Sequence, residues 1–81
     1  MRIRVRLFAR LRELTGKGEV ERDVSDGATA RTVWNALAGE FPALEQYEPV
    51  VSCAVNEEYA KFDARLSDGD EVAFLPPVSG G

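Results

Sequence analysis

The sequence has 81 residues, a formal net charge of -4 at pH 7, one cysteine and no histidine. This length predicts one compact domain, and the acidic balance argues against nucleic acid as a partner, because phosphate backbones bind basic surfaces. A single cysteine excludes an internal disulfide, and the absence of histidine removes the usual proton shuttle and metal ligand. The missing histidine also makes us expect no self-contained catalysis. With no apolar run of about 20 residues and no signal-type block, we expect a cytoplasmic protein with no membrane partner.

The first half of the chain predicts two strands that pair as a hairpin. Residues 2–7 alternate arginine with apolar residues, which is typical of a strand with one cationic and one apolar face. This alternation is lost from Phe8 onward, and Gly16 and Gly18 predict a turn. A short charged strand is predicted to follow over residues 19–24.

A helix is predicted after Thr29, because apolar residues recur at the spacing of one buried helical face. These apolar residues are Ala30, Val33, Trp34, Leu37 and Phe41. Thr29 is the predicted N-cap, and Pro42 is predicted to end the helix. Because Thr32 occupies the third helical position, where a capping box has Glu or Gln, we expect the box to be incomplete.

Three more strands are predicted in the second half. Residues 50–55 are apolar and β-branched, as in the centre of a sheet, and a turn at Asn56 would lead to an edge strand over residues 59–62. A turn at residues 67–70 precedes the last strand, residues 71–75, which two prolines end. The order β, β, α, β, β, β predicts an α+β roll: a mixed sheet of about five strands with one main helix on one face, and the first and last strands as central neighbours.

The last six residues, 76–81, form a predicted extended tail after a domain over residues 1–75. Prolines favour extended backbone and glycines have no Cβ, so such a tail fits a narrow cleft in another protein. The Gly81 carboxylate would be ionised at neutral pH and a poor electrophile until another enzyme activates it, for example as an adenylate. A sulfur donor would then produce a thiocarboxylate, and an amine would produce an amide. Taken alone, Gly80-Gly81 fits an unstructured chain end equally well.

Two longer motifs carry a family resemblance. Residues 7–16 read Leu-Phe-Ala-Arg-Leu-Arg-Glu-Leu-Thr-Gly, and residues 66–81 read Leu-Ser-Asp-Gly-Asp-Glu-Val-Ala-Phe-Leu-Pro-Pro-Val-Ser-Gly-Gly. With Ala-Val-Asn at residues 54–56, the chain closely resembles the small subunit of molybdopterin synthase over essentially its whole length. The resemblance implies a ubiquitin-like β-grasp fold and a sulfur carrier in the biosynthesis of the molybdenum cofactor.

In that family the chemistry is centred on the residue that matches Gly81. The resemblance implies that a ubiquitin-activating-type adenylyltransferase adenylates Gly81 with ATP and magnesium, and that a persulfide relay supplies the sulfur of a thiocarboxylate. The tail would then enter the large synthase subunit, where the sulfur attacks cyclic pyranopterin monophosphate. The inserted residues would be Pro76, Pro77, Val78, Ser79, Gly80 and Gly81. The chain itself would bind no cofactor or metal and would be a non-catalytic subunit.

Three apolar side chains are predicted to face away from the core. Phe8 has the parity of the arginines in the first strand, and Leu75 has the parity opposite to Val72 and Phe74. Tyr59 lies near the Asn56 turn. The resemblance places Phe8, Tyr59 and Leu75 at the hydrophobic contact with the large subunit, whereas bulges at strand ends would turn such side chains inward.

Other conspicuous residues have structural interpretations. The arginines of residues 2–6 predict a solvated strand face, although Arg6 departs from the apolar residue that is frequent there in the family. Cys53 and Trp34 are predicted to lie in the core. Asp68 and Asp70 are more simply explained by a turn than by a metal site.

The tail leaves alternative functions open. A sulfur carrier for thiamine or transfer-RNA thiolation would use the same chemistry with another acceptor. A ubiquitin-like protein modifier would instead be conjugated to lysines through Gly81. A passive binding module would not need Gly81 at all.

Overall fold

Five strands form one mixed sheet in the computed structural model, which describes residues 1–77. The strands are β1 (Arg2–Leu7), β2 (Glu19–Asp23), β3 (Ser52–Val55), β4 (Glu58–Ala60) and β5 (Glu71–Leu75), and the helices are α1 (Ala9–Thr15), α2 (Ala30–Glu40) and a 3-10 helix at Pro42–Tyr47. The order of the strands in the sheet is β2-β1-β5-β3-β4. Strands β1 and β5 are parallel neighbours, and the other pairs are antiparallel. The predicted α+β roll with central first and last strands is therefore confirmed.

The core lies between α2 and one face of the sheet. Trp34 of α2 and Phe74 of β5 are both almost completely buried, and their ring centroids lie 5.1 Å apart in a tilted arrangement. Burial of one such aromatic side chain stabilises the fold by roughly 1.5–3 kcal/mol. The predicted apolar stripe and the core position of Trp34 are confirmed.

The start of α2 shows that the prediction of an incomplete capping box was wrong. The Thr29 hydroxyl accepts a hydrogen bond from the Thr32 backbone N–H at 3.3 Å, and the Thr32 hydroxyl accepts one from the Thr29 N–H at 3.1 Å. A threonine hydroxyl therefore replaces the usual carboxylate or amide as the reciprocal acceptor. The helix ends before Pro42 as predicted, but that proline begins the 3-10 helix, which the sequence did not reveal.

The turn predicted at Gly16 and Gly18 is confirmed, but helix α1, which occupies the segment between Phe8 and that turn, was not predicted. Its Leu11 and Thr15 are buried, and Gly16 ends it with a left-handed φ of 74°. Two helical turns are too short to show a clear period, and no side-chain cap marks the start. Strands β1 and β2 do pair antiparallel, but a helix connects them instead of a tight turn.

Strands β3 and β4 are shorter than predicted. Residues 49 and 50 belong to a turn after the 3-10 helix, and β4 ends at Ala60. The Asn56 turn is confirmed, since Asn56 and Glu57 both have positive φ, as a tight two-residue hairpin turn requires. The turn before β5 is also confirmed, with Gly69 at a φ of 87°. No helix within residues 1–77 has the length and apolar character needed to cross a membrane.

Candidate functional site

The sheet face opposite α2 contains a depression in its central strands. Strand pairing aligns one residue from each of four strands in a row across this face: Arg6, Ala73, Ala54 and Tyr59. The two alanines in the middle have short side chains, so the surface is low between Arg6 and Tyr59. The resulting depression has a volume of about 230 Å³.

All three residues predicted to face outward line this depression. Phe8 and Leu75 are half-buried, and Tyr59 is 79% exposed. None of the three belongs to the buried core, so the strand ends do not turn these side chains inward. Their orientation follows the prediction, and their role as a partner contact stays a prediction.

Phe8 is held at the junction between β1 and α1. The next residue, Ala9, has a φ of 50°, in the left-handed region that costs a residue with a Cβ roughly 1–2 kcal/mol. This conformation ends the strand abruptly and lets α1 begin. The Arg6 guanidinium lies over the Phe8 ring at 4.9 Å from its centroid, within the range of a cation–π contact.

A second, larger depression adjoins the first where the chain leaves the sheet. It has a volume of about 680 Å³ and is lined by Phe8, Ala9, Arg10, Tyr47, Leu75, Pro76 and Pro77. Phe8 and Leu75 line both depressions, so the apolar surface is continuous. The position of Tyr47 in this lining was not predicted, because the 3-10 helix that places it there was not predicted. Pro76 is half-buried and Pro77 is exposed, so the chain leaves β5 alongside the apolar surface.

The remainder of this sheet face is charged and solvated, as predicted for the arginine row. Arg2 forms ion pairs with Glu21 and Asp23 of β2, each at 3.3 Å, and these side chains are more than half exposed. Such surface pairs contribute about 0–1 kcal/mol each. These ion pairs lie outside both depressions, although the charged residues Arg6, Glu57 and Glu71 line the first one.

The single thiol of the chain is unsuited to sulfur transfer. Cys53 is buried, and its Sγ donates a hydrogen bond to the Ala60 carbonyl oxygen at 3.2 Å. Burial raises the pKa of the Cys53 thiol above its ordinary value, against a smaller opposing effect of Arg31. The thiolate is the reactive form, so a buried thiol with a raised pKa is a poor nucleophile. The predicted core position of Cys53 is confirmed.

Both aspartates of the turn before β5 bind backbone or side-chain donors. The Asp68 carboxylate accepts a hydrogen bond from the Arg2 N–H at 2.7 Å. The Asp70 carboxylate accepts one from the Ser67 N–H at 2.8 Å and one from the Asn56 side-chain amide at 3.0 Å. Their structural role in the turn is confirmed.

Of the predicted tail, only Pro76 and Pro77 belong to the described residues, and residues 78–81 lie outside them.

These features define a ubiquitin-like β-grasp protein with an exposed apolar surface beside the end of its last strand. The chain belongs to the ThiS family, whose model matches residues 5–81. This membership confirms the resemblance read from the two sequence motifs.

Proteins that are similar to this chain in sequence have two kinds of names. The molybdopterin synthase sulfur carrier subunit of Arabidopsis thaliana is 42% identical over 79 residues, which cover 98% of this chain and 82% of the relative. Small archaeal modifier protein 1 of Haloferax volcanii is 37% identical over 84 residues, covering 94% of this chain and 97% of the relative. The crystal structure of SAMP1 from Haloferax volcanii superimposes with a TM-score of 0.84 at 34% identity and covers 100% of both chains.

Proposed function

We propose that this chain is the sulfur-carrier subunit of a molybdopterin synthase and that the Gly81 carboxylate carries the sulfur. The observation that carries the proposal is the position of the chain exit. Pro76 and Pro77 line the same continuous apolar surface as Phe8 and Leu75. A partner that covers this surface would therefore also receive the tail, residues 76–81, while the body, residues 1–75, docks as a rigid unit.

The chemistry of the tail needs outside enzymes. An adenylyltransferase joins the Gly81 carboxylate to AMP with release of pyrophosphate from magnesium-bound ATP, which provides a good leaving group. A persulfide sulfur then attacks the carbonyl carbon and displaces AMP, giving an acyl disulfide. A second thiol of the sulfur donor attacks the donor-side sulfur of this acyl disulfide, which forms a disulfide on the donor and releases the thiocarboxylate. The buried Cys53 has no part in these steps.

Delivery of the sulfur requires the large synthase subunit. The tail enters that subunit, and the thiocarboxylate sulfur attacks cyclic pyranopterin monophosphate to form a thioester with Gly81. Water then hydrolyses the thioester, which leaves the sulfur on the pterin and returns Gly81 to a carboxylate. An acidic carrier is attracted to the cationic surface that a phosphorylated substrate requires, and this attraction mainly increases the rate of encounter. The name of the Arabidopsis relative supports this assignment.

Mass spectrometry of the intact protein tests the loading step. The chain is incubated with ATP, magnesium, the activating enzyme and a persulfide donor. We expect one oxygen atom to be replaced by one sulfur atom at Gly81. A matched control lacks only Gly81 and keeps the body unchanged; it should acquire no sulfur. A full chain that never acquires sulfur, with an active donor and activating enzyme, would contradict the proposal.

A second candidate is a protein modifier, because the Haloferax volcanii relative has that name. In this function an amine of a lysine side chain attacks the activated Gly81 and forms an amide. The two functions differ in product, since an amide adduct has a higher mass and resists thiol reagents. Adducts in cells that persist after thiol treatment and disappear on deletion of Gly81 would favour the modifier.

A further inference from the structure

Arg6 is the one cationic side chain among the described residues that line the depression on the sheet, and the other charged residues of this lining are Glu57 and Glu71. Its guanidinium lies over the Phe8 ring, and its Nη1 lies 3.9 Å from the Glu71 Oε2. Arg4, the preceding arginine on the same face, lies outside the lining of this depression. Any partner that covers Phe8 must therefore also cover the Arg6 guanidinium.

Within residues 1–77, the contacts of Arg6 do not satisfy the hydrogen-bond donors of its guanidinium. A separation of 3.9 Å from Glu71 is an ion pair but exceeds the length of a hydrogen bond. Glu71 is also shared, because its other carboxylate oxygen lies 4.0 Å from Nε of Arg4. The Arg6 side chain is 40% exposed, so water reaches its donors in the free chain.

Docking would remove that water. A guanidinium that loses water without gaining an acceptor makes binding less favourable, whereas a carboxylate can accept two parallel N–H donors from its planar fork. The Phe8 ring lies 4.9 Å from the Arg6 Cζ and limits the movement of the guanidinium, so less side-chain freedom is lost when a carboxylate accepts its N–H donors. The geometry therefore fits a partner surface with an acidic side chain next to an apolar pocket.

We propose that Arg6 is a specificity-determining residue that binds an Asp or Glu carboxylate of the large synthase subunit when Phe8 and Leu75 dock. This inference rests on the proposed function. Arg6 excludes partner surfaces that are apolar at this position, because such a surface would leave the guanidinium without an acceptor.

Calorimetric titration of the full chain with the large subunit of the same organism tests the proposal. Arg6→Leu should weaken binding by at least about 30-fold, as expected when one partner of a covered charge pair is removed. Arg6→Lys keeps the charge but loses the planar fork, and should weaken binding by about 3- to 10-fold. The matched control Arg4→Leu removes a cation from the same strand face outside the depression and should change binding by less than about 3-fold.

Substitutions in the partner locate the carboxylate. Each Asp or Glu in the docking cleft of the large subunit is changed to Asn or Gln and combined with Arg6→Leu in a double-mutant cycle. One of these positions should couple to Arg6, so that Arg6→Leu has little further effect once that carboxylate is neutral. Purely additive effects at every position would overturn the proposal, as would Arg6→Leu binding as tightly as the original chain.

Thermal melting of each variant separates binding from folding. Leucine suits a strand, so we expect the melting temperature of Arg6→Leu to be close to that of the original chain. If Arg6→Leu is unfolded, the binding of Arg6→Lys tests the proposal instead. If the original chain does not bind the large subunit, the proposed function fails. If the original chain binds and Leu75→Asp does not, but Arg6→Leu binds normally, only the inference about Arg6 fails.

Discussion

The two faces of β5 differ in what their side chains do. On the inner face, Val72 and Phe74 have no exposed surface and pack beneath α2. On the outer face, Glu71 and Leu75 are half-buried and border the depression that also contains Phe8. This difference predicts that adjacent residues of one strand have separable effects: we expect substitutions on the inner face to change stability and substitutions on the outer face to change partner binding.

The largest expected effect comes from the inner face. Phe74→Ala should lower the free energy of unfolding by about 3–5 kcal/mol, because it leaves a cavity beside Trp34. Urea denaturation measures this change. The matched substitution Leu75→Ala, on the outer face of the same strand, should cost clearly less. Equal losses at both positions would remove the distinction between the two faces.

The next effect is on binding by the outer face. Leu75→Asp should weaken capture by the large subunit by about 100-fold, because docking would remove water from a carboxylate in the apolar contact. Calorimetry measures the binding, and a melting curve shows whether the domain remains folded. Asn35→Asp adds the same charge on the far side of α2 and should bind normally. Unchanged binding of folded Leu75→Asp would refute the docking role.

A smaller effect is expected in the helix that covers the inner face. Thr29→Ala removes the N-cap hydroxyl and should lower the free energy of unfolding by about 1 kcal/mol. Thr32→Ala removes the reciprocal acceptor and leaves the Thr29 cap in place, so its cost should be lower. Both variants should bind the large subunit normally. A loss of affinity would show that α2 contributes to docking after all.

The smallest functional effect is expected at Cys53. Cys53→Ala should acquire sulfur at Gly81 at the original rate, measured by intact mass, because the thiol is buried and has a raised pKa. A large loss of sulfur loading in a folded variant would give Cys53 a role in the relay.

The same raised pKa predicts a pH dependence of stability. The thiol of the unfolded chain loses its proton at lower pH than the thiol of the folded chain. The contribution of Cys53 to the free energy of unfolding is therefore fully present below the unfolded pKa and is lost as pH rises toward the folded pKa. The original chain should therefore lose more stability than Cys53→Ala between about pH 7 and about pH 10. Urea midpoints of both proteins measure this difference, and parallel curves would contradict it.

The sequence predicts the two faces of the central strands because their side chains alternate. Residues 2–7 alternate clearly in polarity, whereas residues 72–75 are all apolar and their faces follow from parity alone; both strands have the predicted bounds. Helix α1 and the 3-10 helix were missed, since elements of one or two turns show little periodicity. Tyr47 was missed for the same reason.

The contacts within the apolar surface depend on tertiary structure. The outward orientation of Phe8 and Leu75 follows from their parity in the strands. The contact of Arg6 with the Phe8 ring and the sharing of Glu71 between two arginines do not follow from parity. These contacts arise because β1 and β5, which are distant in the sequence, are parallel neighbours with a defined register. Side-chain geometry across that pair cannot be read from either strand alone.

Single-turnover sulfur transfer shows whether Gly81 delivers sulfur to the pterin and whether docking through Leu75 is needed for delivery. The chain with a Gly81 thiocarboxylate is mixed with the large subunit and cyclic pyranopterin monophosphate, and the sulfur content of both chain and pterin is followed by mass spectrometry. We predict that Gly81 returns to a carboxylate as the pterin gains an equal amount of sulfur, and that Leu75→Asp slows both changes together. Sulfur that stays on Gly81 in the presence of an active large subunit, or reaches the pterin equally fast from Leu75→Asp, would contradict the account.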